Sequence, residues 1–423
     1  MASVEWVSTL WSTEPRWVTE PDIALIEQIA REQLHVPPGE PCRVTLFAQG
    51  AFNKLYEIHV ADDAPAYLIR VALPVEPRLK TLSEVATLDF VRAHCNVSLV
   101  PRVLAYEANA ESTPLGFEWM IMEKLPGTVL EDRWRTMSFA AKEDLVRTLV
   151  GVLANLYEHP LRGIGNIYLQ DDDDTSQPTV NRIVSMVFFW DQHRKQDVPR
   201  GPFRSSAEWL SARLSFVLND AGHTIRTSED EDDVEEAEEA QALAHRLLAL
   251  LPKLFSASND ADSQPERTII LHDDLSFHNL LVDDEGRLTG IIDWECVSAL
   301  PVWYACQFPS FLTGRTRTEL PDETTYALND DGTRIQLYGE HLREWEQTQL
   351  RDVFLCEMER VQPEWVRHYR EPRNVLKADF EAAVTQCDAP FAKRLIGRWI
   401  DRVEAMDSEG DATYISLRDD FHR

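Results

Sequence analysis

The run TIILHDDLSFHNLLVDDEGRLTGIIDWE, residues 268–295, constrains the fold more than any other part of the chain. Residues 268–271 are apolar and rich in β-branched side chains, which predicts a buried strand ending where the polar residues begin. His272, Asp274 and Asn279 then fall on a loop, where a rigid scaffold commonly presents chemistry. Residues 280–282, a turn at 283–286 and residues 287–292 read as a β-hairpin. An antiparallel hairpin folds its two ends together, so Asn279 and Asp293 are expected to be neighbours, although fourteen positions apart. Two oxygen-bearing side chains converging in this way make a hard-cation site. Magnesium takes few protein ligands and completes its shell with water and phosphate oxygens. Asp274 stands at the edge of that site, placed to accept a proton from a hydroxyl.

Two other readings of the same residues are open. His272, Asp274 and His278 are ligand types that suit zinc or iron, which would make the chain a metal-dependent hydrolase. That reading leaves the hairpin and Asp293 unexplained. The polar residues could instead only cap a turn, but two carboxylates and an Asn beside apolar strands are costly to bury without a task. His278 reads as an incidental loop residue.

A second set of signals lies upstream. Residues 43–71 alternate as strands, interrupted at Gln49-Gly50-Ala51-Phe52-Asn53, a turn able to cover phosphates. Gly50 is the one glycine there, and no G-x-G-x-x-G occurs. Residues 66–71 form a further strand that carries Ile69-Arg70. Residues 79–94 place Leu82, Val85, Leu88 and Val91 on one face of an amphipathic helix, with Glu84 beside that face. Residues 117–125 read as a strand running into the turn Pro126-Gly127.

Taken together, these motifs resemble the protein-kinase-like superfamily and, more closely, the aminoglycoside phosphotransferase family with its fungal relatives. The family loop, roughly His-Gly-Asp-Leu-x-x-x-Asn, is met by His272-Asp273-Asp274-Leu275 and Asn279, with Asp273 in place of the usual Gly. The family's Ile-Asp-Trp-Glu is met by Ile292-Asp293-Trp294-Glu295, and its Gly-x-x-Asn-x-x-Tyr loop by Gly50, Asn53 and Tyr56. The resemblance implies an α+β, protein-kinase-like bilobal fold with a β-rich N-lobe and a mainly helical C-lobe. It implies ATP and Mg2+ as cofactors, and transfer of the γ-phosphoryl group to a hydroxyl of a small molecule. Carried over by position, Asp274 is the catalytic base, while Asn279 and Asp293 hold the metal. Gly50 and Asn53 belong to the nucleotide loop, Arg70 grips phosphates with Glu84 as its partner, and the backbone of Glu123 and Leu125 meets adenine. His272 braces the loop, and Glu295 adds to metal or substrate binding. The alternative is a catalytically silent ATP-binding relative that works through interactions. The sparse glycine loop favours it, whereas the presence of both Asp274 and Asp293 opposes it. The acceptor stays open, because relatives act on choline, homoserine, sugars and other alcohols.

Composition sets limits. A chain of 423 residues exceeds one average domain. The expected division is an extension over residues 1–40, a nucleotide-binding N-lobe over 41–124, and a helical C-lobe over 125–423. With 42 basic against 72 acidic residues the formal charge is −30, which repels nucleic acid and anionic membranes and argues against both as partners. The same acidity suits a cationic acceptor. However, part of it sits in residues 171–174 and 229–239, which read as solvated segments, the second opening a helix. Residues 184–219 are rich in aromatics, which could pack the helical lobe or line the acceptor pocket. No apolar run reaches the ~18 residues of a membrane span. The N-terminus has no signal or transit pattern, and the six cysteines are scattered without Cys-x-x-Cys. A cytoplasmic enzyme is expected, of unknown oligomeric state.

Overall fold

A computed structural model describes residues 4–8, 13–60, 66–169, 178–255, 264–329, 334–406 and 416–421. The acidic run at 171–174 lies outside them. The chain packs as two compact units, each discontinuous in sequence. The first comprises Met1–Trp134, Gly165–Asp197 and His278–Ala299; the second comprises Arg135–Ile164, Val198–Phe277 and Leu300–Arg423.

The first unit is built on strand alternation. Its N-terminal elements are β1 (Val4–Ser8), β2 (Thr13–Trp17), α1 (Ile23–Gln33), β3 (Arg43–Gln49) and β4 (Asn53–His59). β5 (Tyr67–Ala72), α2 (Leu79–Ala93), β6 (Val103–Glu107) and β7 (Glu118–Glu123) follow. Five of the strands form an antiparallel sheet in the order β3-β4-β5-β7-β6. Ile58, Ile69 and Ile121 leave its face to bury against Ile26, Ile29 and Ala30 of α1. α1 starts where its sequence says it should, because the Asp22 side chain accepts from the Ala24 amide at 2.8 Å, satisfying an orphan donor.

α2 has no such local cap, and its N-cap residue Arg78 sits at φ 66°. The cap comes from another strand. Glu118 of β7 accepts from the Arg78 amide and from Thr81 Oγ1, both at 2.6 Å. Burial raises the Glu118 carboxyl above the usual carboxylate range, and those two hydrogen bonds oppose the rise. The sheet thereby fixes where α2 begins and which face it turns inward. The β1–β2 hairpin was not expected from the sequence, where residues 1–40 read only as an extension. Trp6 and Trp17 pack beside the apolar cluster of Phe52, Leu73, Val75, Val184 and Phe189.

A second hairpin, Leu280–Val282 with Leu288–Ile291, also belongs to this unit, extended by Thr128–Val129. Its turn closes through the Gly286 amide on the Asp283 carbonyl at 3.0 Å, with Gly286 at φ 83°. Gly127 lies so close that a Cβ there would come within 2.8 Å of the Val282 carbonyl oxygen. Only glycine fits this approach.

The second unit is mainly helical. Phe139–Tyr157, capped by Ser138 through the Ala141 amide at 3.2 Å, packs against Gln336–Val361. Pro363 and Pro372 each occupy the first turn of a new helix, where a missing N–H costs nothing. Glu231–Leu254 carries Glu231, Asp232 and Asp233 in its first turn, favourable with the helix dipole, and buries Ala237, Ala240, Ala244 and Leu247. The strand Arg267–Leu271 pairs with Leu161–Arg162. Phe203, Trp209 and Phe216 are buried within this unit, and Phe188 and Phe189 within the first, so most of the 184–219 aromatics serve as core. The architecture is α+β, with a β-sheet N-terminal region and a helical C-terminal region. Among the described residues, no helix is long and apolar enough to cross a membrane.

Candidate active site

In the first unit the site begins at the open end of the 280–291 hairpin. Leu280 faces Ile291, and one step beyond them the Ile292 amide donates to the Asn279 carbonyl at 3.0 Å. That bond places Asn279 and Asp293 on adjacent backbones. Asp293 then takes φ 66°, a left-handed conformation that Asp tolerates better than most residues. The turn sends the next side chain inward. Trp294 is buried, and its indole N–H donates to the Ile291 carbonyl at 2.9 Å. Cys296 repeats the positive φ at 61°, so the segment after the strand is tightly coiled around this buried ring.

Arg70 on β5 and Glu84 on α2 form a buried, two-pronged ion pair, the guanidinium nitrogens each donating to one carboxylate oxygen. Burial lowers the Arg70 pKa, while the negative charges of Glu295 and Asp293 act to raise it. A guanidinium is basic enough to stay charged through such a shift.

Glu295 completes the group. Its Oε2 accepts from Asn53 Nδ2 at 2.7 Å, lies 2.6 Å from Lys80 Nζ and is 3.9 Å from Arg70 Nη1. Lys80 Nζ also donates to Asn53 Oδ1 at 3.0 Å. Burial would raise the Glu295 carboxyl, but the Lys80 and Arg70 charges outweigh it and hold the group below the usual carboxylate range. Lys80 did not stand out in the sequence. The signal was available, because Lys80 and Glu84 are four residues apart and share a helix face.

The other residues expected at the nucleotide site are placed as follows. Gly50 closes the β3–β4 turn by donating its amide to the Asn53 carbonyl at 2.9 Å. It needs no positive φ, and a Cβ there would meet nothing closer than 4.0 Å. Phe52 anchors the loop, its ring 5.5 Å from Phe189 and 5.9 Å from Trp190 between centroids. The Glu123 amide donates to the Arg102 carbonyl at 3.0 Å, and the Leu125 side chain lies against Gly290 of the hairpin.

In the second unit Asp274 lies exposed on the loop that follows Arg267–Leu271. The loop is fastened on its apolar side. Leu275 is buried with its carbonyl accepting from the Phe311 amide at 3.0 Å, and Phe277 meets Phe311 edge to face under the Arg343 guanidinium. His272 is buried. Asp273 reaches solvent, yet protein atoms crowd its carboxyl and push it up to about 6, helped by the charges of Asp274 and Glu381.

A family model described as APH, the phosphotransferase enzyme family, matches residues 43–304, which include both units' loop residues named above. The chain belongs to this family. It is 25% identical over 308 residues to a subtelomeric hrmA-associated cluster protein of Aspergillus fumigatus, covering 63% of this chain and 60% of that one. It is likewise 25% identical over 269 residues to clavilactone A biosynthesis cluster protein Y of Ampulloclitocybe clavipes, covering 60% of each. The chain thus spans 60% of the length of these curated relatives. Among solved structures it is similar to choline kinase from Cryptosporidium parvum Iowa II, with a TM-score of 0.43 and 13% identity over 89% of this chain and 90% of that chain. It is also similar to a thermostable mutant of an aminoglycoside phosphotransferase in ternary complex with AMP-PNP and hygromycin B. There the TM-score is 0.43 at 15% identity, over 90% of this chain and 99% of that chain.

Proposed function

We propose that this member of the phosphotransferase enzyme family transfers the γ-phosphoryl group of ATP, with Mg2+, to a hydroxyl of a small molecule. The observation that carries the reading is the hairpin mouth. One backbone hydrogen bond sets Asn279 beside Asp293, and Glu295, two residues further on, lies 3.9 Å from an Arg70 guanidinium already paired to Glu84.

The donor set fits magnesium. Asn279 and Asp293 offer hard oxygen ligands in small number, as suits an ion that completes its shell with phosphate oxygens and water. The hydrolase alternative lacks this support. Among the described residues, no group of three or more His, Cys, Asp or Glu is gathered as a metal site. Bound Mg2+ would neutralise charge that develops on the transferring phosphoryl group.

The protein's own contributions are positional and electrostatic. Arg70, held by Glu84, presents permanent positive charge and spare N–H donors to the phosphates. Hairpin register sets the backbones of Asn279 and Asp293 side by side, so the two oxygen-bearing residues are brought together before the metal arrives. Asp274 orients the acceptor hydroxyl and takes its proton, while the buried His272 and Leu275 keep the loop in place. Backbone groups of Glu123 and Leu125 take the adenine edge, the Glu123 amide being already committed to Arg102.

The acceptor we infer is a cationic alcohol. Support comes from Asp273, an exposed carboxyl that feels the Asp274 and Glu381 charges, and from the overall charge of −30. The acidic segment of residues 229–239 adds less, because its carboxylates are exposed on their own helix and two of them lie near Lys393.

The decisive experiment is a screen of cationic alcohols, sugars and antibiotics with Mg·ATP, read by mass spectrometry for a phosphorylated product. A product that requires Mg2+ is expected. Nucleotide binding without transfer to any acceptor would instead favour a catalytically silent relative. For the best acceptor, kcat/KM should fall as the Debye length shrinks from about 30 Å to about 8 Å with added salt. A neutral best acceptor with salt-indifferent rates would remove the cationic assignment.

A further inference from the structure

We propose that Lys80 is a second phosphate-binding cation of the nucleotide site, with Glu295 as its positioning acid rather than a third metal ligand; this rests on the function proposed above. Lys80 is the second residue of α2, and its side chain is almost fully buried, at 2% exposure. Both features are unfavourable for a lysine. A cation near a helix N-terminus opposes the dipole, and a buried ammonium loses its hydration. A side chain kept there against two penalties is held by specific partners, and they are Glu295 at 2.6 Å and Asn53 Oδ1 at 3.0 Å.

Among the described residues, those partners account for two of the three N–H donors of an ammonium. Glu295 is also used one-sidedly, since Asn53, Lys80 and Arg70 all approach Oε2. A purely structural ion pair has no reason to leave a donor over. A phosphate oxygen would satisfy it with a charge-assisted hydrogen bond. The placement fits that ligand: Asn53 is the last residue of the turn that Gly50 opens, and Arg70 shares the same carboxylate oxygen. Lys80 and Arg70 therefore form a two-cation pair on one acid. Arg70 is committed to Glu84 through two nitrogens, while Lys80 is a compact charge on a flexible stem that can follow the phosphates.

The test measures binding of adenosine, Mg·ADP and Mg·AMP-PNP by calorimetry for the parent, Lys80→Met, Lys80→Arg and the double variant Lys80→Met/Glu295→Gln. The double variant removes both charges of the pair, so it keeps folding separate from function. Its thermal transition should lie nearer the parent's than that of Lys80→Met alone. Lys80→Met and the double variant should each bind Mg·AMP-PNP and Mg·ADP at least tenfold more weakly, with adenosine affinity unchanged. Lys80→Arg should recover part of the loss. Equal weakening for adenosine and for the phosphorylated ligands would show Lys80 to be structural and overturn the inference. Parent-like nucleotide affinity in the folded double variant would do the same. Failure of the parent itself to bind Mg·AMP-PNP would overturn the functional reading instead.

Discussion

The two units solve the problem of holding polar groups in opposite ways. In the first, Arg70, Lys80, Asn53, Glu84 and Glu295 are drawn into one largely buried network in which each charge answers another. In the second, Asp274 stands exposed on a loop whose stability comes from apolar contacts beneath it, chiefly Leu275 and Phe277 on Phe311. Buried charges stabilise only as a complete set, because removing one partner leaves the other desolvated and unpaired. Asp274, being exposed, carries no comparable burial penalty, so its chemistry can vary with little effect on the fold. Removing a single member of the first unit's network should therefore lower binding and stability together, whereas in the second unit the two should separate.

The largest expected effect falls on the exposed group. Asp274→Asn should lower phosphoryl transfer by about 10²–10⁴-fold, the range for losing a positioned proton acceptor. Its unfolding free energy should stay within about 0.5 kcal/mol of the parent, as for surface substitutions generally. Steady-state rates and urea unfolding on the same preparation check both halves. A large stability loss would break the contrast between the units.

Asp293→Ala comes next, because it removes the one anionic ligand proposed for the metal. Mg2+-dependent nucleotide binding should disappear. Calorimetry with Mg·AMP-PNP, at several Mg2+ concentrations, reads it. Unchanged affinity with unchanged metal dependence would reduce Asp293 to a residue that shapes the turn before Trp294.

Glu84→Gln probes the buried network directly. Breaking an ion pair of this kind costs about 3–5 kcal/mol, so the midpoint of urea unfolding should fall together with nucleotide affinity. Loss of affinity with full stability would mean that the Arg70–Glu84 pair is not structurally integral, and that the two units do not differ as argued.

The smallest effect concerns pH. The Asp273 carboxyl is pushed up to about 6 from an ordinary 3.8, foremost by the protein atoms that crowd it. Between those values the folded protein binds more protons at this site than the unfolded chain, so stability contributed here is lost as pH rises from about 4 to about 6. Asp273→Asn abolishes that titration. The melting temperature of the variant relative to the parent should rise over the same interval and level off above it. A difference flat in pH would remove the shift at Asp273.

Much of this molecule was written locally. The hairpin at Leu280–Val282 and Leu288–Ile291 followed from strand-forming residues around Asp-Asp-Glu-Gly, and its register alone brings Asn279 and Asp293 together. Asp22 and Ser138 are residue types that favour helix starts, and their side chains do cap the helices that follow them. What escaped was decided at long range. The β1–β2 hairpin gains its burial from aromatics far along the chain, as in the contact of Trp6 with Trp190. The start of α2 is capped by Glu118, forty positions from Arg78. Lys80 looked like an ordinary helical lysine because its charge is answered by Glu295, and Asn53 looked like a loop residue until Glu295, 242 positions away, met it. Periodicity and turn chemistry act over a few residues, so the sequence by itself determined most of the elements and the hairpin whose mouth brings Asn279 and Asp293 together. Which charges share a buried environment depends on how the elements pack, and only the tertiary structure decided that Arg70, Lys80 and Asn53 converge on a single carboxylate.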